Sequence, residues 1–190
     1  MRIVVINHLT LDGVMQGPGA PDEDERGGFT HGGWAGPGND PAMFQAIGER
    51  MGGGLLLGRR SYEGMLGAWN AKGGPFKDAL NGMSKYVASS SSATKLDWPN
   101  STLVHGNVPD GVAELKRAEG GNLVIMGSGQ LIRSLIPFGL IDEYLLMIHP
   151  LLLGSGQRLF EHENQVGKLK LVDSTATSTG VILATYKPAD

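Results

Sequence analysis

Residues 55–65 read LLLGRRSYEGM: three leucines, a glycine, two arginines and a serine, then a run that can continue as a helix. A short apolar run that ends in glycine and passes into polar helix formers outlines a buried strand turning into a helix. The same outline recurs at VIMGSGQLI (124–132), where the run ends in Gly127, Ser128 and Gly129. Strands that alternate with helices predict parallel βαβ units, and these two junctions set the framework of the chain.

Working outward, short apolar runs stand at RIVVINH (2–8), GLLLG (54–58), KYVASS (85–90), TLVHG (102–106) and NLVIMG (122–127). Each is bounded by Gly, Asn or Ser and rich in Val, Ile or Leu, as expected of strands buried on both faces. Helical patterns lie between several of them. Segment 39–51 has Asp40 as N-cap, Pro41 at the first helical position, and Phe44, Ile47 and Met51 on one face. Segment 109–121 is a shorter helix, and 128–139 sets Leu131, Ile132, Leu135 and Ile136 on one side before Pro137 and Gly139 stop it. The C-terminal third changes character: IDEYLLMIHP (141–150), KLKLVDSTA (168–176) and VILATYK (181–187) are strand-like, with no helix between the last two. That pair predicts an antiparallel hairpin. The expected class is α/β, a mostly parallel central sheet flanked by helices with a C-terminal antiparallel hairpin, in one domain over 1–190.

Composition narrows the function. Hydrophobic residues make up 41% and charged residues 18%, a globular balance, and a net charge of -3 argues against a nucleic-acid partner held by a global basic field. The absence of cysteine excludes a disulfide framework, a thiolate zinc site and a cysteine nucleophile. The N-terminal apolar run is too short for a signal peptide, and no later run is long enough to cross a bilayer, so no membrane partner and a cytoplasmic location are expected. Segment 15–40, dense in Gly and Pro and acidic in its middle, fits neither helix nor strand. It is either a mobile surface excursion or a lid; Phe29, His31 and Trp34 favour the lid.

The junctions carry the chemistry. At Gly58 to Ser61 the chain leaves a strand and enters a helix, so free N–H groups and the positive end of the helix dipole coincide, and Arg59 and Arg60 add forked donors suited to phosphate. The alternative is that the arginines cover the helix end or pair with Glu63. The second junction offers small residues and bare N–H groups to a second anionic group, and Ser89 and Ser90 can add hydroxyls. Neither junction is the dinucleotide fingerprint GxGxxG, and a Walker A match is absent. No histidine spacing suggests a metal, and no GxSxG elbow suggests a hydrolase.

The order of VVINHLTLDGVM (4–15), LLLGRRSYEGM, YVASS (86–90), VIMGSGQLI and IHPLLLGSGQRLF (148–160) resembles the dihydrofolate reductase-like superfamily. It is most similar to the reductase domain of bifunctional riboflavin-biosynthesis deaminase-reductases and their stand-alone relatives. The resemblance implies an NADPH cofactor and hydride transfer to a small planar nitrogen heterocycle, pyrimidine- or pterin-like. By position it sets Gly58, Arg59, Arg60 and Ser61 at the adenosine phosphates, with an arginine and Ser89 or Ser90 near the 2′-phosphate. Gly127, Ser128, Gly129 and Gln130, flanked by Met126 and Leu131, would cradle the pyrophosphate. Asn7 and His8 would lie beside the nicotinamide, and LDGVM (11–15) would begin a mobile loop. Asp40 and Asp12 are the candidate proton sources, against plainer roles as an N-cap and a loop-turn residue. Phe29, Trp34, Phe44 and His149 are expected on the substrate side, Phe44 facing inward. A homodimer, as in relatives of this type, is a further expectation. The competing readings are a non-catalytic nucleotide-binding or regulatory module on this fold, and a true dihydrofolate reductase.

Overall fold

The computed structural model describes residues 1–160 and 167–189. Its first strand, β1 (Arg2–Thr10), is apolar on both sides through Ile3, Val4, Val5 and Ile6, and all four are buried. A strand of that kind needs cover on both faces, and the topology gives it a central place. The other strands are β2 (Gly54–Gly58), β3 (Lys85–Ala88), β4 (Ser101–Val104), β5 (Asn122–Met126), β6 (Glu143–His149), β7 (Leu169–Ala176) and β8 (Ile182–Pro188). They form one sheet in the order β4-β3-β2-β5-β1-β6-β8-β7. From β4 to β6 every pairing is parallel, whereas β8 runs antiparallel to both β6 and β7. The hairpin expected at 168–187 is therefore present, and α/β with a mostly parallel sheet is the architecture.

Among the described residues five α-helices cover the sheet: α1 (Pro41–Gly48), α2 (Arg59–Lys72), α3 (Pro75–Gly82), α4 (Val108–Arg117) and α5 (Gly129–Leu135). On one face Val112 of α4 and Leu131, Ile132 and Leu135 of α5 pack with Ile3, Val5, Leu56 and Ile125. On the other, Met43 of α1, Tyr62 of α2 and Leu80 of α3 pack with Val4, Ile6, Leu55, Leu57 and Val124. Consecutive leucines of β2 thus feed alternate layers, and each fully buried leucine contributes roughly 1.5–3 kcal/mol. Among the described residues no helix is long and apolar enough to cross a membrane.

Two features depart from the sequence reading. Helix α3 has no counterpart in it; Gly73 and Gly74, at φ of 67° and 88°, break the chain after α2, and Pro75 restarts it. Phe44 does not face inward. It is 59% exposed, and the buried residue of α1 is its neighbour Met43. Because α1 spans only two turns, the strand–helix contact is made through Met43, Ala46 and Ile47, and Phe44 is rotated to solvent.

Candidate active site

Toward the carboxyl ends of β1, β2 and β5, hydrogen bonds knit the three strands together. The Asn7 side chain, 4% exposed, donates from Nδ2 to Gly127 O at 3.3 Å and accepts from Gly127 N at 2.8 Å. Gly58 N donates to Ser128 Oγ at 2.9 Å, and Ser128 N donates to Ser61 Oγ at 3.0 Å. The two strand–helix junctions are therefore locked to each other by reciprocal serines. Gly127 (φ 64°) and Ser128 (φ 54°) are both left-handed, a turn that brings the chain from β5 back over Ser61. Neither α2, with Gly58 at its N-cap, nor α5 has a side-chain cap. Their first N–H groups are left for solvent or an anion.

Arg59 and Arg60, the first residues of α2, are both exposed. Arg59 Nη1 donates to both carboxylate oxygens of Glu63 at 3.0 and 3.1 Å, the pairing foreseen as the alternative to phosphate binding. Arg60 has no ion-pair partner among the described residues. The Ser89 hydroxyl accepts from Thr94 Oγ1 at 2.7 Å and from Ser91 N at 3.2 Å, while Ser90 is exposed. Met126 and Gly129 are half-buried, Gln130 is exposed, and Leu131 is core. Met15 lies against Gly129; a Cβ there would stand 2.6 Å from the Met15 sulfur.

On the opposite face of β1, His8 borders a cavity of about 140 Å3 with Pro18, Gly19, Glu23, Ala35, Gly36 and Asn39. Segment 15–40 forms its roof. That segment is tied to itself, Gly33 N donating to Gly17 O at 2.8 Å and Ala35 N to Pro18 O at 3.0 Å. Phe29 is buried against Gly17 and Gly156 and so anchors the roof instead of lining the cavity. Trp34 donates from Nε1 to Gln16 O at 2.7 Å and meets the His149 ring edge to face, centroids 5.2 Å apart. His149, 1% exposed, shares a hydrogen bond of 2.9 Å with His8, Nε2 to Nδ1. Burial first, then the neighbouring His149, push the His8 imidazole down to about 4; burial lowers His149 as well.

The two candidate acids are engaged elsewhere. Asp40 accepts from Ala42 N at 2.8 Å as the N-cap of α1, and its other oxygen accepts from Ser178 N and Ser178 Oγ at 3.1 and 2.5 Å. The Ser178 hydroxyl, ahead of the backbone donors, holds its carboxyl below the usual range. Asp12 accepts from Thr10 Oγ1 at 2.5 Å and from Gly154 N at 2.8 Å, which pins loop 150–158 to β1; the Thr10 bond heads the causes that lower it to about 2. Neither borders the His8 cavity. Glu23, Gly38 and Asn39 were not singled out by the sequence reading, and only the acidic middle of segment 15–40 hinted at the first. Among the described residues no cluster of three or more His, Asp or Glu side chains is placed to hold a metal ion.

A mostly parallel sheet of this order with an antiparallel C-terminal hairpin is the dihydrofolate reductase-like fold. The chain belongs to the RibD C-terminal domain family, whose model matches residues 2–183. That membership supports a reductase-type role. Among curated relatives, the uncharacterised protein YyaP of Bacillus subtilis (strain 168) is 35% identical over 103 residues, 54% of this chain and 53% of its own length. The uncharacterised YwjB of the same organism is 36% identical over 59 residues, 31% of this chain and 34% of its own. The matches thus span about half of the first relative and a third of the second. Solved structures establish the fold. A protein of Shewanella sp. PV-4 provisionally assigned to riboflavin biosynthesis superposes with a TM-score of 0.74 at 23% identity, covering 100% of both chains. The Enterococcus faecalis dihydrofolate reductase complexed with NADP(H) gives 0.64 at 17%, covering 100% of this chain and 97% of its own. A pyrimidine reductase-like protein of Corynebacterium diphtheriae gives 0.64 at 12%, covering 100% and 92%.

Proposed function

We propose that the protein is an NADPH-dependent reductase that transfers a hydride to a small planar nitrogen heterocycle of the pyrimidine or pterin class. The observation that carries this reading is the pair of interlocked, uncapped junctions with, beside them, an arginine that has no ion-pair partner among the described residues. They fit a dinucleotide: α2 offers backbone N–H groups and dipole to one phosphate, and the small residues at Gly127 to Gly129 leave room for another. Among the described residues Arg60 has no ion-pair partner and can meet a 2′-phosphate, whereas Arg59 already shares its charge with Glu63. A bound reduced nicotinamide supplies the hydride. The chain's part would be to hold that ring and the substrate in contact with each other at the carboxyl end of β1, with Asn7 and His8 among the residues beside them and the His8 cavity on the substrate side. The cavity has room for one heterocyclic ring, well under the ~300 Å3 and more of a drug-sized site.

The uncommitted edge of β7 and the exposed Leu169, Leu171, Val172 and Ile182 of the hairpin support a homodimer built on this end of the sheet. The test of the function is NADPH oxidation by the purified protein against a panel of aminopyrimidines and pterins that includes dihydrofolate. Turnover with an aminopyrimidine and little with dihydrofolate is expected. Rapid dihydrofolate turnover would make it a true dihydrofolate reductase, and NADPH binding without any oxidation would favour the non-catalytic module.

A further inference from the structure

A reductase of this kind needs a proton as well as a hydride, and both carboxylates expected to give one are tied up in caps and turns. Two imidazoles meet instead beside the cavity, and His8 is the one that lines it. His8 Nδ1 and His149 Nε2 stand 2.9 Å apart, rings tilted by 42°. At that distance one nitrogen must carry a hydrogen and the other accept it. With Nδ1 taken by its partner, Nε2 is the nitrogen that His8 has left for a molecule in the cavity it borders.

The partner is held in place from three sides. A Cβ at Gly38 would stand 2.6 Å from His149 Nδ1 and 2.8 Å from Val181, so the glycine is what lets the ring sit there. Thr179 Oγ1 fixes Gly38 by donating to its carbonyl at 2.9 Å, and Trp34 closes on the ring from the roof.

We propose that His8 is the catalytic group that protonates the substrate, and that His149 is a positioning residue that sets the His8 tautomer and shares its proton. The inference rests on the reductase reading. In the substrate a C=N or C=O carbon takes the hydride supplied by the reduced nicotinamide, and the π pair moves to the nitrogen or oxygen. That atom takes the proton from Nε2 of the singly charged couple: the His8 N–H bond breaks, a new N–H or O–H bond forms, and the couple is left neutral. Solvent then returns the proton.

Among the described residues the charged and titratable groups near the couple are few. Across the cavity Glu23 presents a carboxylate that already accepts from Gly19 N and Ala20 N at 2.5 and 3.3 Å. Beyond Gly38 stands Asp40, fixed by Ala42 and Ser178. On the β1 side Asp12 is fixed by Thr10 and Gly154. Segment 15–40 adds Trp34, which is neutral, and the β7–β8 turn adds Val181, Ser178 and Thr179. With burial dominating, the charged couple is the minor form at neutral pH, so turnover should fall as pH rises.

The test joins two readouts on the full-length protein. Imidazole NMR titration of the ligand-free protein should show His8 titrating below its ordinary value, and His149→Asn should move that titration upward. An unchanged His8 titration in His149→Asn would overturn the couple. With an accepted heterocycle, His8→Asn and His8→Gln should each lower kcat by about 100-fold with KM little changed, and should abolish its decline with pH. A folded His8 variant that keeps the wild-type kcat and pH profile would overturn proton delivery by His8. Coupled titrations without NADPH oxidation by any heterocycle would instead remove the reductase reading, and this role with it.

Discussion

Asn7 and His8 are adjacent in β1, yet they serve opposite faces of the sheet under opposite rules. Asn7 is locked by two bonds to Gly127, and the junctions beyond it are locked by Ser61 and Ser128; none of these groups changes charge between pH 4 and 9. His8 is bonded to one partner that is itself titratable, in a pocket roofed by a glycine-rich segment. The difference is one of chemistry: the α5 side of β1 is held by groups of fixed charge, whereas the α1 side carries a pair of titratable imidazoles. Alternation along the strand is enough to separate the two.

The largest expected effect sharpens this contrast through pH. The folded-state pKa of His8, about 4, lies below the unfolded value of 6.5, so between those values the unfolded chain binds more protons. Stability therefore rises with pH across this window and is lost as pH falls, by at most about 3 kcal/mol once pH 4 is reached. The lowered His149 adds in the same direction. Urea unfolding at a series of pH values should show the slope, and His8→Asn should flatten it. A slope unchanged in that variant would assign the acid lability elsewhere.

A second test breaks the α1 side sterically. Gly38→Ala drives a methyl into His149 and Val181 and should cost about 1–3 kcal/mol by the same unfolding assay, with the His8 titration displaced. On the other face Ser128→Ala removes the acceptor for Gly58 N, and about 0.5–1.5 kcal/mol should be lost equally at pH 5 and pH 8. A pH-dependent loss there would erase the contrast. The smallest effect is expected of Phe44→Ala, within about 0.5 kcal/mol, because the ring is solvent-facing.

Much of the fold was legible because buried parallel strands are short runs of Val, Ile and Leu that end in glycine, as at Leu57–Gly58 and Met126–Gly127. The Asp40–Pro41 cap was legible for the same kind of local reason. Phe44 was not, since eight residues of helix do not fix which of two adjacent apolar side chains turns inward. Lys85 is another limit. It is fully buried, donating to Leu80 O and Met83 O at 2.5 and 2.6 Å, and so closes the end of α3, a helix the periodicity does not reveal. His8 and His149 are 141 positions apart, and their contact follows from the β1–β6 register that sets Thr10 opposite His149. The two interlocked junctions, where we propose a phosphate site, were thus written in local motifs, whereas the pair of imidazoles arises from tertiary pairing.

The most direct measurement is parallel titration of the protein and of Arg60→Ala with NADPH and NADH, read by quenching of tryptophan fluorescence. Saturable binding selective for NADPH, with the selectivity lost in Arg60→Ala while NADH binding is little changed, is the predicted result. Binding of neither cofactor, or equal loss of both in the variant, would contradict the assignment of the locked junctions as an NADPH site.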